Sequence, residues 1–267
     1  MWIDTHCHLD AHAFGADATA VAARSRQAGV SMIVIPAVER ANFELVAQLA
    51  ATAPNASYAL GIHPVCVPQA SEADLATLRA SVAAALADPR FVAIGEIGLD
   101  FFIPMLCEPA MRDRQVHFFR EQLRIARDFG LPVLMHVRRS QDQVLKHVRQ
   151  VRPAGGIAHA FNGSFQQAQA YIDLGFKLGF GGAMTFPRAL QIRRLAATLP
   201  MGAIVLETDA PDIAPAWVHP ARNSPEQLPA IGAALAEMRA MTPQALAFAT
   251  THNALAALPR LAALSGA

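Results

Sequence analysis

Cysteine is scarce in this sequence, and long apolar runs are missing from it. Three cysteines in 267 residues are too few, and odd in number, for a disulfide framework, which is typical of a protein from a reducing compartment. The opening stretch MWIDTHCHLD has neither the basic segment nor the apolar core of a secretory signal. No apolar run approaches the roughly 20 residues that a membrane-spanning helix needs. We therefore expect a cytoplasmic protein without a membrane partner.

Charge is also sparse, since charged residues make up 16% of the chain and the formal net charge is +1. Broad capture of nucleic acid requires a basic surface, so this balance argues against it. Any nucleic-acid substrate would have to be held locally, with weak, length-insensitive binding and a shallow dependence on salt. Hydrophobic residues reach 53%, which excludes composition-driven disorder and provides for a large core.

Short β-branched runs alternate with longer Ala-rich stretches along the whole chain, as expected for βα units and a parallel sheet. Eight strands with interleaved helices favour a closed barrel, so the pattern predicts one (β/α)₈ TIM-type domain over residues 1–267. The predicted strands are 2–6, 31–36, 57–62, 91–97, 132–137, 156–160, 176–181 and 203–208. The predicted helices are 15–29, 39–53, 71–88, 111–129, 140–151, 164–174, 187–199 and 225–239, with a further one over 242–263.

Histidines and carboxylates stand at the ends of several predicted strands, where a barrel of this type keeps its active site. His6 and His8 share one side of the first strand because strand side chains alternate, and Cys7 points away. One strand-end histidine is more often structural than a ligand. A set of six such residues at five strand ends instead favours two divalent cations with mixed nitrogen and oxygen ligands. The set is His6, His8, Glu96, His136, His159 and Asp209.

Two cations about 3.5–4 Å apart need a bridging carboxylate, and Glu96 lies near the centre of the set. His6, His8 and Asp209 would complete one site, and His136 and His159 the other. A hydroxide held between the cations would be a nucleophile at neutral pH, because the cations lower its pKa. The ligand types favour Zn²⁺ or Mn²⁺, while Mg²⁺ prefers oxygen ligands.

These residues lie in a series of longer motifs along the chain. The motifs are IDTHCHLD (3–10), GIHP (61–64), GEIGLDFF (95–102), PVLMHVRRS (132–140), HAFNGS (159–164), LETDAPDIAP (206–215), RNSPE (222–226) and THNALAAL (251–258). In their order and spacing they resemble the TatD family of metal-dependent hydrolases, a branch of the amidohydrolase-like barrels. The resemblance implies a TIM-type barrel, a binuclear divalent-metal centre with the same six ligands, and hydrolase activity. It also implies that this chain belongs with the subgroup that keeps the H-x-H pair, in a family of which several members are deoxyribonucleases that remove nucleotides from a 3′ end.

Other matched positions have candidate roles beside structural alternatives. His63 resembles a family histidine that contacts the substrate phosphate or leaving group, although a hydrogen-bonded loop histidine is equally consistent. Arg138 would grip a phosphate, or else only orient a metal ligand through a salt bridge. Asp209 would also pass a proton from the nucleophile to the leaving oxygen, so the catalytic candidates are Asp209, Glu96 and His63. Partners for the ligand imidazoles or nearby arginines, or else simple buried ion pairs, are Asp4, Asp100 and Glu207.

The remaining histidines have no predicted role. We expect His117 and His147 on solvated helix faces, and surface positions for His12, His219 and His252. The loop 101–112 (FFIPMLCEPAMR) differs from the more polar loops common in the family and is predicted to overhang the site, so it bears on substrate choice.

The sequence favours hydrolysis of a phosphate ester, with the 3′ end of single-stranded DNA as the substrate that the resemblance suggests. An alternative keeps the metal site but changes the bond to a lactone, an amide or another small non-nucleotide substrate, since fold does not settle function. A non-catalytic metal-binding protein is the third hypothesis. The intact ligand set argues against it, because a degenerate site would have lost carboxylates.

Overall fold

Eight parallel strands pair in the order in which the chain makes them, in a computed structural model that describes residues 1–264. The first and last strands meet where the Thr5 N–H donates to the Leu206 carbonyl (3.1 Å) and the Asp209 N–H to the His6 carbonyl (2.9 Å). The predicted (β/α)₈ barrel is therefore confirmed. The strands are β1 (Trp2–Asp4), β2 (Val30–Pro36), β3 (Ala56–Leu60), β4 (Phe91–Asp100), β5 (Val133–Arg138), β6 (Gly156–Ala158), β7 (Phe176–Phe180) and β8 (Ile204–Leu206).

Helices follow the strands and cover the outside of the barrel. Gly29, Gly130 and Gly175 end three of them with positive φ, a conformation that glycine commonly adopts just past a helix. The segments predicted as helix from residues 15, 39 and 225 each begin with a 3₁₀ turn. The helices are α1 (Ala18–Gln27), α2 (Phe43–Thr52), α3 (Glu72–Ala85), α4 (Pro109–Asp128), α5 (Gln141–Val151), α6 (Phe165–Asp173), α7 (Leu190–Thr198), α8 (Leu228–Met238) and α9 (Pro243–Ala257).

The strands read as nearly continuous apolar runs because both of their faces are covered. All ten residues of β4, FVAIGEIGLD, are buried. Side chains on the barrel interior, including Met32, Val92 and Leu134, form a cluster of their own with Ala254 and Leu258 from the C-terminal segment. The last helix therefore packs against one end of the barrel and leaves the carboxyl ends of the strands open. No helix within residues 1–264 is long and apolar enough to cross a membrane.

Five strands, β1, β3, β6, β7 and β8, stop earlier than the sequence predicts, and β4 and β5 continue further. β1 ends at Asp4 and the chain bends at Thr5, so His6 and His8 stand on the loop beyond the strand. His159 and Asp209 likewise follow the ends of β6 and β8. The predicted place of His6 within the first strand was therefore wrong. The predicted orientation is nevertheless observed, since the imidazoles of His6 and His8 both face Glu96 and Cys7 points away.

Candidate metal centre

The carboxylate of Glu96, which is buried on β4, lies at the centre of five imidazole rings. Its Oε2 is 3.1 Å from His6 Nε2 and 3.3 Å from His8 Nε2. Its Oε1 is 2.8 Å from His159 Nε2, 3.0 Å from His136 Nδ1 and 3.3 Å from the Nε2 of a fifth histidine, His63. Each carboxylate oxygen thus faces its own group of nitrogens, which is the arrangement a bridging ligand requires.

Asp209 completes the half of the site that contains the H-x-H pair. Its Oδ1 lies 3.7 Å from His6 Nε2 and 3.6 Å from His8 Nε2. The structure therefore brings together all six side chains of the predicted ligand set. Three triads place ligand atoms within 4.8 Å of one another: His6, His8 and Asp209; His6, Glu96 and His159; His63, Glu96 and His136.

Hydrogen bonds distinguish His136 from His63, although both face Glu96. Asp100 lies 3.1 Å from His136 Nε2, and this imidazole together with two backbone N–H groups lowers the pKa of Asp100 to about 2 against the opposing effect of burial. An ionised carboxylate can only accept, so Asp100 favours a proton on Nε2 of His136, and in the neutral ring the lone pair of Nδ1 is then available to a cation. In His63, Nδ1 accepts from the Val65 N–H (3.1 Å), so the proton of the neutral ring lies on Nε2. His63 thus presents a donor.

The site concentrates buried charge that needs positive partners. Burial would raise the pKa of Glu96, but the surrounding imidazoles, first among them His63 and His159, hold it well below its usual range. Burial would lower the pKa of His159, yet the nearby carboxylates raise it to about 10. Burial raises the pKa of Glu207 to about 8 and that of Asp4 to about 7. Ionised Glu96 therefore requires protons on the imidazoles or cations between them.

The imidazoles and carboxylates of this cluster are suited to bind divalent cations. Within residues 1–264, His6 Nδ1, His159 Nδ1 and Glu207 Oε2 are buried without a hydrogen-bond partner, which is costly in a rigid interior. The rings of His6 and His159 stack at 3.9 Å between centroids, so protons on both would repel. Neutral imidazoles and carboxylates at such separations are the mixed donor set that Zn²⁺ and similar cations bind.

Strained backbone gathers at this end of the barrel. Among the described residues, six that are not glycine have positive φ, and four of them stand on loops after β5, β6 and β8. They are Arg139 (φ 54°), Ala160 (φ 45°), Asp209 (φ 55°) and Ile213 (φ 42°). Such conformations persist only where the surroundings enforce them, and they are enriched at functional sites.

Thr208 and Gln122 position parts of the site but were not found from the sequence. Asp4 was expected to contact an imidazole or an arginine, but it accepts from the Thr208 N–H (2.9 Å) and hydroxyl (2.6 Å) instead, which ties β1 to the loop that carries Asp209. On α4, Gln122 holds the backbone of Ile62, next to His63, through both its amide atoms (2.7 and 3.0 Å). The sequence did contain a signal for Gln122, because it lies among the apolar residues on one side of a helix. A buried amide requires hydrogen-bond partners, so such a glutamine indicates a contact with another segment.

A cavity of about 920 Å³ opens above the centre. Arg138 lines it with a half-exposed side chain, and its Nη1 lies 3.9 Å from Asp100 Oδ2 rather than at Glu96. The segment 101–107, which we call the rim loop, contributes Phe102 and Ile103 to the wall. Of the segment 101–112 that was predicted to overhang the site, these two residues thus line the cavity, and α4 already begins at Pro109.

The histidines outside the cluster follow the sequence prediction with one exception. His12, His117, His219 and His252 are exposed, whereas His147 is buried, with its Nδ1 3.2 Å from Gln150 Oε1. The predicted solvated position of His147 was wrong, because α5 turns that face towards Phe119 of α4. Cys7 is buried and directs its thiol to the Ala210 carbonyl (3.6 Å), away from the site as predicted.

This arrangement can be compared with known proteins. The family model of the TatD-related DNases matches residues 3–259. The chain belongs to this family. The metal-dependent hydrolase YjjV of Escherichia coli (strain K12) is 39% identical over 253 residues, which cover 94% of this chain and 95% of YjjV. A crystal structure of the same TatD homologue superposes with a TM-score of 0.90 at 37% identity, covering 97% of this chain and 98% of that one.

A further relative carries a more specific name. The 3′-5′ ssDNA/RNA exonuclease TatD of Erwinia billingiae is 30% identical over 259 residues, which cover 94% of this chain and 96% of the exonuclease. Together with the cluster around Glu96, the family membership makes this TatD-family chain a metal-dependent hydrolase with a divalent metal centre.

Proposed function

We propose that this chain removes nucleotides from the 3′ end of single-stranded DNA, using two divalent cations. The proposed ligands are His6, His8, Glu96, His136, His159 and Asp209. The observation that supports this most is the division of Glu96, whose two oxygens face separate groups of histidines at 2.8–3.3 Å. The name of the Erwinia relative supports the nucleic-acid substrate.

When bound, the cations would polarise a phosphoryl oxygen and make water acidic enough to supply hydroxide at neutral pH. The protein supplies proton transfer and orientation. The carboxylate of Asp209 is partly exposed to the cavity and contacts both His6 and His8, so it is placed to accept the proton of the attacking water and return it to the leaving oxygen. The Nε2–H of His63, whose tautomer is set by the Val65 N–H, faces Glu96 Oε1 at 3.3 Å and would donate to a phosphate or leaving-group oxygen that binds beside this carboxylate.

Arg138 would bind the phosphate from the rim of the cavity. Its guanidinium lies within 3.9 Å of Asp100 but remains half exposed, so its other nitrogens are free to donate to a ligand. A guanidinium binds two phosphate oxygens at once, which orients as well as attracts the group. Arg138 follows His136 by two residues, so a phosphate bound to its guanidinium would lie close to the metal centre.

The test is a digest of a 5′-labelled single-stranded oligonucleotide, combined with elemental analysis of the purified protein. We expect products that shorten one nucleotide at a time from the 3′ end, and their loss with a chelator or in Glu96→Gln. Bis-p-nitrophenyl phosphate, a lactone and a small amide are assayed in parallel. Turnover of the lactone or amide without any phosphodiester cleavage would overturn the proposal.

A further inference from the structure

Phe102, on the rim loop, is an aromatic side chain held open to solvent beside the metal centre. It is 43% exposed and lines the cavity. Its position is fixed, because its N–H donates to Asp100 Oδ1 at 2.8 Å. The preceding residue, Phe101, packs partly buried against the core and beneath Arg112, so the two adjacent rings have different surroundings.

Two arginines lie over the ring of Phe102. The Cζ atoms of Arg138 and Arg139 are 3.8 Å and 4.6 Å from the ring centroid. Arg139 has a left-handed backbone (φ 54°) and no carboxylate partner within residues 1–264, and it lines the cavity like Arg138. The ring of Phe102 and the guanidinium groups of two arginines that have few or no carboxylate partners thus lie together at one edge of the cavity opening.

Exposed apolar side chains are concentrated around this mouth. Val65, Phe102 and Ile213 line the cavity from the loops after β3, β4 and β8, and each is at least 37% exposed. Met105 and Trp217 are exposed on the same loops. Leaving large apolar groups in water forgoes the stabilisation of burying them, so their clustering at a cavity indicates a ligand with flat or apolar parts.

We propose that Phe102 binds a nucleobase next to the scissile phosphate by stacking, the base taking the place of one of the guanidinium groups that lie over the ring, with Arg138 and Arg139 then holding the backbone. This inference rests on the proposed function. Bases stack on aromatic rings and on guanidinium planes, and phosphates pair with arginine. Every base has a π-face, so the subsite accepts a base of any identity. With a net charge of only +1, the chain then needs no broad basic surface to bind the strand, because the two arginines at this edge attract the phosphates locally.

The test compares single-stranded oligonucleotides that carry either ordinary bases or an abasic residue at one of the two 3′-terminal positions. We expect the wild type to cleave the ordinary oligonucleotide about 5- to 150-fold faster, the range given by stacking on single bases. Phe102→Ala and Phe102→Leu should reduce this ratio to near one, while Phe102→Trp retains it.

Phe248→Ala is the matched control, because Phe248 is 78% exposed on α9 and does not line the cavity. Binding is measured separately, by quenching of 2-aminopurine at the 3′ end of a nuclease-resistant phosphorothioate oligonucleotide with the metal-loaded enzyme. Quenching should persist in Phe248→Ala and disappear in Phe102→Ala.

The outcomes separate this inference from the function on which it rests. A wild type that cleaves ordinary and abasic oligonucleotides equally would overturn the stacking subsite and leave the nuclease standing. The same holds for a Phe102→Ala variant that keeps the wild-type ratio. A wild type that cleaves neither oligonucleotide would overturn both.

Discussion

His136 and Asp100 form a hydrogen bond of 3.1 Å that joins the metal centre to the rim of the cavity. On one side it fixes the imidazole, whose Nδ1 lies 3.0 Å from Glu96. On the other, the same carboxylate accepts from the N–H groups of Phe102 (2.8 Å) and Ile103 (3.1 Å). One buried aspartate therefore orients a proposed ligand and the rim loop together.

Asp100→Asn should weaken metal binding by about 10- to 100-fold, as outer-sphere partners of ligand histidines commonly do. The amide can keep the backbone N–H groups on its oxygen, but its NH₂ then faces His136. That favours a proton on Nδ1 and removes the lone pair from the ligand atom. Titration of the chelator-treated protein with Zn²⁺ or Mn²⁺ measures the change.

Asp128→Asn provides the comparison, because Asp128 pairs with Arg79 and Arg127 at the surface and is absent from the cavity wall. Its metal affinity should equal that of the wild type. Equal affinity in Asp100→Asn as well would show that Asp100 does not orient His136 for a cation.

Glu96→Gln should lower both metal content and phosphodiesterase activity by more than 100-fold, since a proposed bridging ligand is lost rather than an outer partner. The substitution conserves volume, so the protein should still fold. Elemental analysis and the rate on bis-p-nitrophenyl phosphate measure the effect.

Glu72→Gln is a fair control, because Glu72 also lies beside an imidazole, 3.0 Å from His117 Nε2, but at the surface. Retention of both metal ions by Glu96→Gln would argue against a bridge.

The barrel and the proposed ligands could be predicted because both depend on local patterns. Buried parallel strands read as apolar runs, and the barrel topology sends their carboxyl ends to one face. Knowing that Glu96, His136 and His159 stand near such ends was therefore enough to place them together. Exact strand ends were less important, since a bend at Thr5 still leaves His6 over the mouth.

Contacts between distant segments could not be predicted in the same way. The hydrogen bonds from Thr208 to Asp4 span 204 residues, and no spacing in the sequence indicates them. The stacking of Arg138 on Phe102 depends on the path of the rim loop, which no periodicity describes. The buried position of His147 depends on how α5 packs on α4. Such relationships require the tertiary fold.

The burial of His147 should make stability depend on pH. Burial lowers the pKa of His147, and Arg120 and Lys146 nearby act in the same direction. As pH falls below about 6.5, the unfolded chain takes up a proton on this residue that the folded chain resists, so stability is lost towards acid. Above that pH the imidazole of His147 is neutral in both the folded and the unfolded chain, so it no longer makes stability depend on pH. The wild type should thus lose more stability than His147→Gln on acidification.

Urea unfolding at pH 7.5 and pH 5.5 tests this, because the difference between the two conditions cancels any change in packing. His252→Gln, at an exposed histidine on α9, serves as the reference and should follow the wild type. An identical loss of stability on acidification in the wild type and in His147→Gln would contradict the expectation.

Gly98 holds the two strands that carry Glu96 and His136 at their spacing, and Gly98→Ala should disturb both. Its backbone has φ +158°, and an added Cβ would lie 1.9 Å from the His136 carbonyl oxygen, which belongs to the neighbouring strand and has little freedom to move. We expect a loss of at least about 1–3 kcal/mol in the free energy of unfolding, as for other overpacked sites, together with weaker metal binding.

Gly202→Ala is the control, because an added Cβ there meets nothing within 4 Å. Thermal unfolding with chelator and with metal separates the two effects, because a purely local strain would lower the melting temperature but leave the metal-induced stabilisation intact. A smaller stabilisation by metal in Gly98→Ala than in Gly202→Ala would show that the strand spacing sets the geometry of the centre.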